Sequence, residues 1–169
     1  DASCDWSSDV CSSDLKKMGF IPQKTLLFTG SIGTNIKFGK DDADKHELEH
    51  SAKVAQAYDF INNKHKKFEE LISEGGSNMS GGQKQRLSIA RAIIRKPEIY
   101  IFDDSFSALD FKTDAMLREK LKDETKDSIV LIVAQRIGSI IDANKIIVLN
   151  EGEIRSEEHT SELQSQDAS

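Results

Sequence analysis

Two short segments of the sequence carry residue types that could bind a phosphorylated ligand. The first is Ser80, Gly81, Gly82 and Gln83, which stand at the predicted start of a helix. Glycines let the backbone approach a ligand closely, and the N–H groups and dipole of a helix start favour an anion. The serine hydroxyl adds a donor, so phosphate is the natural ligand. A lone Ser-Gly-Gly is more often only a flexible helix start, and the motif therefore needs support from elsewhere.

The second segment is Asp103, which ends the apolar run 99–102 and is followed by Asp104. A continuous apolar run predicts a strand buried on both faces, and open α/β sheets bind ligands at the carboxyl ends of their strands. A carboxylate in that position can hold Mg²⁺ directly or through water. Taken alone, a solvated Asp-Asp turn is the better interpretation.

The elements that position these residues alternate between strands and helices, which predicts an α/β fold with a parallel sheet. Residues 31–95 are predicted to be mainly helical, and residues 97–155 to form the core. Apolar spacing and breakers predict the following elements: strands at Met18–Ile21, 99–102, 129–134 and 146–149; helices at 44–55, 58–63, 80–95 and 112–124, the last with Met116, Leu117 and Leu121 inward; a short helix after Arg136; and a turn at 150–153.

Length, charge and hydropathy exclude several classes of protein. The 169 residues suit one domain or a piece of one, and the net charge of -6 does not indicate a generic nucleic-acid surface. Arg86, Arg91, Arg95 and Lys96 are interpreted as a solvated or inter-subunit helix face rather than as nucleic-acid contacts. The longest apolar run, 129–134, is far shorter than the roughly 20 residues of a membrane helix, so we expect no membrane span in this chain.

The two ends differ from the middle of the chain. Residues 1–15 and 156–169 each hold four acidic residues and no Lys or Arg, whereas 16–155 holds 21 acidic and 23 basic residues. The end strings CDWSSDVCSSDL and RSEEHTSELQSQ resemble translated sequencing-adapter sequence, which indicates non-native or disordered tails; natural acidic tails are the alternative. Both cysteines, Cys4 and Cys11, lie in the first tail, and the cysteine-free middle suits a reducing, cytosolic setting.

The run MSGGQKQRLSIARAIIRKPEIYIFDDSFSALD, residues 79–110, resembles the ATP-binding-cassette (ABC) family along its whole length. Residues 79–83 are similar to the signature motif, 100–103 to the Walker B strand and 107–110 to the D-loop. Gln23 resembles the Q-loop glutamine, and residues 131–140 resemble the switch region. The segment LLFTGSIGTNIKFG after Gln23 is most similar to the exporter branch. The resemblance implies a P-loop NTPase-like fold with a helical ABC subdomain, here incomplete.

The resemblance also implies roles for individual residues, with ATP and Mg²⁺ as cofactors. Asp103 would hold Mg²⁺, together with Gln23, which reaches the attacking-water region and couples to the membrane domain. The signature residues would bind the γ-phosphate of ATP on an opposite subunit, and Asp110 of the D-loop is placed with the nucleotide-binding residues. These signature residues are Ser80, Gly81, Gly82 and Gln83.

The sequence departs from the family pattern at two catalytic positions. Asp104 stands where the family has a glutamate general base, and its carboxylate lies roughly 1.5 Å further back, where a misplacement near 1 Å can cost about 100-fold in rate. Gln135 stands where the switch region has a histidine, and an amide cannot carry a proton near pH 7. Both changes affect the half-site around this chain's own ATP, which indicates a heterodimer with one degenerate site. A homodimer with a slow base is the alternative.

No G-x-x-x-x-G-K-[ST] motif occurs in the sequence. The resemblance places this P-loop upstream of Gln23, so we expect the 169-residue polypeptide to bind ATP negligibly and to hydrolyse none.

We therefore expect part of the ATPase domain of an ABC exporter subunit at the cytoplasmic face of the cell membrane, associated with a second cassette and a transmembrane domain and not with nucleic acid. A soluble ABC-type ATPase and a non-hydrolysing cassette that only completes a partner's site are the alternatives.

Overall fold

The computed structural model describes residues 15, 17–135, 138 and 140–159, the last four of these as backbone only. The chain divides into two compact units, the first ending at Val133 and the second beginning at Ala134. In the described part of the chain no helix is both long enough and apolar enough to span a bilayer. Cys4 and Cys11 lie outside the described residues, as do residues 136, 137 and 139, where the short helix after Arg136 was predicted.

A three-stranded parallel sheet forms the centre of the first unit. Its strands are β1 (Met18–Ile21), β4 (Ile99–Asp103) and β5 (Ile129–Val133), in the order β1-β4-β5. Ile21 pairs with Phe102, one residue before Asp103. The predicted parallel α/β sheet is confirmed, and because its strands run in one direction, their carboxyl ends meet at one edge.

The sheet is buried on one face only within the described residues. Tyr100 and Phe102 are each 1% exposed, whereas Phe20 and Leu131, on the opposite face, are 57% and 52% exposed. Ile99 and Ile101 of β4 are partly buried, so the prediction that residues 99–102 are buried on both faces is met in full on one face only. The physical reason is that Tyr100 and Phe102 share one core with the helices, while the alternate residues point the other way.

Among the described residues, five helices and a short antiparallel strand pair accompany this sheet. The pair is β2 (Gly30–Ser31) with β3 (Leu71–Ile72). The helices are α1 (Ile32–Lys37), α2 (Lys45–Val54), α3 (Tyr58–Asn62), α4 (Gly81–Arg95) and α5 (Phe111–Glu124), with single 3₁₀ turns at Lys67–Glu69 and Glu74–Gly76.

The helix ends follow the sequence signals. Asp44 caps α2 and forms a capping box with Glu47, which satisfies N–H groups at the helix start. Helix α4 begins after Ser80 and ends at Arg95; the next residue, Lys96, caps it in the left-handed conformation with φ of 50°, directly before Pro97. The predicted start and end of the helix 80–95 are thus confirmed within one residue.

One side of α5 differs from the prediction. Leu117 and Leu121 are buried, as expected, but Met116 is 45% exposed. Consecutive helical residues are rotated by about 100°, so Met116 cannot share the face of Leu117. The buried side of α5 instead includes Asp114, which forms an ion pair with Arg118 one helical turn later.

The second unit contains a β-hairpin. Strands β6 (Lys145–Asn150) and β7 (Glu153–His159) are antiparallel, and Glu151 and Gly152 have positive φ of 52° and 83°. Two positive φ values are typical of the primed turns that match strand twist. The strand and turn predicted here are confirmed. The backbone of β7 continues past residue 156, and the tail boundary placed there stays a prediction.

Candidate functional site

Two loops meet at the carboxyl edge of the sheet. The loop of residues 22–25, which we call the Gln23 loop, follows β1, and Asp104 follows β4. Gln23 Nε2 donates a hydrogen bond to Asp104 Oδ2 at 3.0 Å, across 81 residues of sequence. The buried Ser105 hydroxyl donates to the carbonyl of Ile21 at 2.8 Å. The two loops are therefore joined both at the base of the strands and at the exposed side chains.

The backbone at Asp104 is held in an unusual conformation. Its φ is 44°, in the left-handed region that aspartate tolerates better than most non-glycine residues. The Asp104 N–H donates to the carbonyl of Val133 at 2.9 Å, and its own carbonyl accepts from the Ser107 hydroxyl at 2.9 Å. These bonds fix the direction in which the carboxylate leaves the sheet, toward Gln23.

The second predicted segment, residues 80–83, forms an exposed turn that we call the signature turn. Ser80 Oγ accepts from the Gln83 N–H at 3.2 Å, and Gln83 Oε1 accepts from the Ser80 N–H at 3.1 Å. This reciprocal capping box holds the turn in place at the start of α4. A Cβ on Gly81 would meet no atom within 4 Å, whereas one on Gly82 would lie 3.1 Å from the carbonyl of Ala108.

The signature turn is consequently open on one side and packed against the loop after β4 on the other. The first turn of a helix leaves N–H groups without intrahelical acceptors, and the open side at Gly81 gives a ligand access to this end of α4. The helix dipole favours an anion there.

Asp110 is the N-cap residue of α5. Its Oδ1 accepts from the Thr113 N–H at 3.0 Å and caps α5. Hydrogen bonds from Thr113 hold the pKa of Asp110 below its usual range, because they favour the charged carboxylate. The predicted contact of Asp110 with nucleotide stays a prediction.

Gln135 lies in the second unit, two residues after β5, and its side chain is exposed. Its predicted switch role likewise stays a prediction.

Gln85 is a buried residue of this region that the sequence reasoning missed. It is 3% exposed on α4; its Oε1 accepts from Thr25 Oγ1 at 2.6 Å, and its Nε2 donates to the Pro22 carbonyl at 3.3 Å. The signal was present in the sequence, because Gln85 precedes the apolar Ile89 by one helical turn and so falls on the inward face of α4.

Arg86 and Arg91 of α4 are partly buried, whereas the prediction was a solvated or inter-subunit face. Arg86 donates to the carbonyl of Gln56 at 2.8 Å, and Arg91 donates to the carbonyl of Asn35 at 2.9 Å. Partial burial lowers the pKa of both guanidinium groups, which nevertheless stay charged at any physiological pH. These two side chains hold the helical segment together, and neither belongs to a free basic surface.

The side chains at the sheet edge fit a magnesium–nucleotide site better than a protein-only metal site. Among the described residues no group of three or more His, Cys, Asp or Glu side chains could hold a metal ion. Mg²⁺ is usually bound by one or two carboxylates together with waters and substrate phosphates. Asp103 can supply such a carboxylate. Gln23 contacts Asp104 through its amide nitrogen, so its amide oxygen is the atom that could face the ion.

The sequence profile of the ABC transporter family matches residues 2–107, more than half of the chain. The chain belongs to the ABC transporter family. Among ABC proteins, it is 42% identical over 159 residues to "Uncharacterized ABC transporter ATP-binding protein YfiB" of Bacillus subtilis, covering 94% of this chain and 27% of that protein. It is 41% identical over 137 residues to "ATP-binding cassette sub-family B member 5" of Mus musculus, covering 81% of this chain and 11% of that protein.

A solved structure in the ABC family has the same fold. "Structure of a bacterial Atm1-family ABC exporter with ATP bound" superimposes with a TM-score of 0.85 at 32% identity and covers 90% of this chain and 27% of that one. The chain therefore has the fold of an exporter-type ABC ATP-binding domain, and it spans about a quarter or less of the length of these three relatives.

Proposed function

We propose that this chain is part of the ATP-binding and ATP-hydrolysing domain of an ABC exporter subunit, which uses ATP to drive export across a membrane from its cytoplasmic face. The observation that carries the proposal is the hydrogen bond between Gln23 and Asp104 beside Asp103. It joins Gln23 and Asp104, which lie at the positions that resemble the Q-loop and the end of the Walker B strand, at a sheet edge of the kind where α/β proteins bind nucleotides. The likeness to an ATP-bound exporter supports the same conclusion.

The two exposed parts of the site serve different nucleotides in this proposal. Asp103 and Gln23 face the ATP and Mg²⁺ of their own subunit, and the bound metal would neutralise phosphate charge there. The signature turn offers helix N–H groups and the Ser80 hydroxyl to the γ-phosphate of ATP held by a second cassette. A fused transmembrane domain would carry the cargo pathway.

The residue at position 104 supports an asymmetric pair of cassettes. Its carboxylate is one methylene shorter than that of a glutamate and is already engaged by Gln23 at 3.0 Å. A general base must lie within hydrogen-bond reach of the attacking water. We therefore propose a heterodimer in which this chain's own site is slow or inactive while its signature turn completes the partner's active site. The 169-residue polypeptide, whose sequence has no P-loop motif, would turn over no ATP alone.

The substitution Asp104→Glu in the full-length pair tests this proposal. Restoring the longer carboxylate should raise steady-state ATP turnover, by up to about 100-fold at this site. Asp127→Glu, the same change at an exposed residue of the same chain, serves as the matched control and should leave turnover unchanged.

A second substitution, in which the partner's catalytic base is removed, assigns the sites. This substitution should abolish ATP turnover in the heterodimer that contains the wild-type chain. In the heterodimer that contains Asp104→Glu, a measurable part of the turnover should remain. Full activity without the partner's base contradicts the asymmetry. If Asp104→Glu gains nothing while loss of the partner's base abolishes turnover, the chain is the non-hydrolysing cassette that only completes its partner's site.

A further inference from the structure

The signature turn and the Gln23–Asp104 contact are connected inside this chain through one buried amide. Gln85 lies on α4 five residues after Ser80, and its side chain makes two hydrogen bonds to the Gln23 loop, at Thr25 and at Pro22. The carbonyl of Pro22 can only accept, so the amide nitrogen of Gln85 must face it and the amide oxygen must face the Thr25 hydroxyl. Both polar atoms of a nearly fully buried side chain are thus used on the same four-residue loop.

Helix α4 holds this part of the chain at a second point. Arg91 Nη1 donates to the carbonyl of Leu26 at 3.2 Å, one residue past the Gln23 loop. Before the loop, the Ser105 hydroxyl holds the carbonyl of Ile21. The Gln23 loop is therefore held by hydrogen bonds at the end of β1 and from α4. Because the loop backbone is fixed at both places, it sets the direction in which the exposed Gln23 side chain points, toward Asp104.

An α-helix moves as a unit, and Gln85 lies only about 7.5 Å along the axis from the signature turn. A ligand that shifts the start of α4 also shifts the donor and acceptor that hold Thr25 and Pro22. We propose that Gln85 is a positioning residue that couples the signature turn to the Gln23–Asp104 contact, so that occupation of the partner's nucleotide site adjusts this chain's own site. This inference rests on the proposed function, because it requires two nucleotides at a cassette pair.

The test uses the full-length transporter with two variants that break the link from opposite ends. Gln85→Met keeps a long side chain without the amide, and Thr25→Val keeps the shape without the hydroxyl. The matched control is Thr125→Val, the same substitution at a buried threonine whose hydroxyl donates to the carbonyl of Leu121 at 2.7 Å, at the end of α5. Steady-state ATP turnover is measured against ATP concentration, per mole of folded protein.

The wild-type protein should show cooperative ATP dependence, with a Hill coefficient above 1. Both link variants should bring the Hill coefficient toward 1, with KM changed by no more than about twofold. The double variant should be no worse than either single variant, because both remove one interaction. A merely structural role would lower the amount of active protein and leave the Hill coefficient unchanged.

The other outcomes overturn the inference in distinguishable ways. If Gln85→Met and Thr25→Val both retain the wild-type Hill coefficient, Gln85 does not couple the sites, although the proposed function stands. If Thr125→Val loses cooperativity to the same degree, the effect comes from general destabilisation and the inference is again wrong. If the wild-type transporter hydrolyses no ATP, the proposed function fails and the inference fails with it. Should Gln85→Met not fold, Thr25→Val decides alone, because Thr25 is only partly buried.

Discussion

Asp104 combines a chemical position with a strained backbone. Its carboxylate is held by Gln23, while its φ of 44° places it in the left-handed region. A residue held in a sparsely populated conformation costs free energy that the surrounding hydrogen bonds must offset. The bonds from Ser107 and to Val133 are the ones that do so here. The same strain makes a longer side chain at this position less favourable for folding than aspartate, which tolerates this conformation comparatively well.

We predict that Asp104→Gly is more stable than Asp104→Ala. Both variants lose the carboxylate, so their difference reports the backbone alone. Glycine adopts positive φ without a Cβ penalty, whereas alanine does not, and the expected difference in the free energy of unfolding is about 0.5–1 kcal/mol. Thermal unfolding of the 169-residue chain followed by circular dichroism measures it. An alanine variant as stable as the glycine variant would show that the left-handed conformation costs nothing.

The residues of the site differ in how far the sequence predicts them. Gln23, Asp103 and the signature turn follow from motifs, because their chemistry depends on residue type and on the order along the chain. The contact between Gln23 and Asp104 follows from the parallel sheet, which brings strand ends together. The contacts of Gln85 and Arg91 could not be predicted, because they cross 56 to 65 residues of sequence and depend on how α4 packs on the rest of the unit.

At the scale of single elements, local signals worked best where the chain begins or ends a helix. Caps, glycines and prolines act within a few residues, so the starts of α2 and α4 were predicted correctly. Burial was predicted less well, because the face that an element buries depends on its neighbours. The half-buried second face of β4, the exposure of Met116 and the partial burial of Arg86 and Arg91 are the resulting errors.

Substitutions at Asp110 test whether its carboxylate serves mainly to cap α5 or to contact the nucleotide. We predict that Asp110→Ala lowers the melting temperature of the chain by about 2–4 °C, whereas Asp110→Asn keeps most of the stability, because asparagine also caps helices. Thermal unfolding of the three proteins measures this. In the full-length transporter, ATP turnover that is retained by Asp110→Asn would assign the residue to the cap; turnover that is lost with the cap intact would assign it to the nucleotide.

The pH dependence of the same pair has a definite sign. Hydrogen bonds from Thr113 lower the pKa of folded Asp110 below its ordinary value of 3.8. The wild-type advantage over Asp110→Asn is therefore present above that value and is lost as the pH falls through the lower folded pKa. A difference in stability that persists unchanged in acid would contradict this account of the cap.

At the scale of the first unit, a histidine–glutamate hydrogen bond and a buried phenol connect the helical segment to the sheet. His50 on α2 lies 2.8 Å from Glu124 at the end of α5. Tyr100, at the centre of β4, is 1% exposed, and the charge of Glu124 acts on it. These three residues come from three elements that are far apart in sequence. Their proximity ties stability of the sheet to the packing of α2 and α5.

The ionisation of Tyr100 should make the free energy of unfolding depend on pH in the alkaline range. Burial, and secondarily the charge of Glu124, raises the pKa of Tyr100 from 10.0 to about 12. Because the folded pKa is raised, the stabilisation from the neutral phenol is fully present below pH 10 and is lost as the pH rises toward 12. We predict that the wild-type chain loses about 2 kcal/mol relative to Tyr100→Phe over this window.

Urea unfolding of both proteins between about pH 9 and 11.5 measures the difference, and Tyr58→Phe, the same change at a partly buried tyrosine, controls for loss of a phenol hydroxyl. Glu124→Gln removes the second cause and should reduce the alkaline loss without abolishing it, since burial is the larger cause. If the wild-type chain and Tyr100→Phe keep a constant difference in stability across the window, the phenol ionises as readily in the folded state as in the unfolded one. The packing of β4 against α5 would then be looser than the burial of Tyr100 indicates.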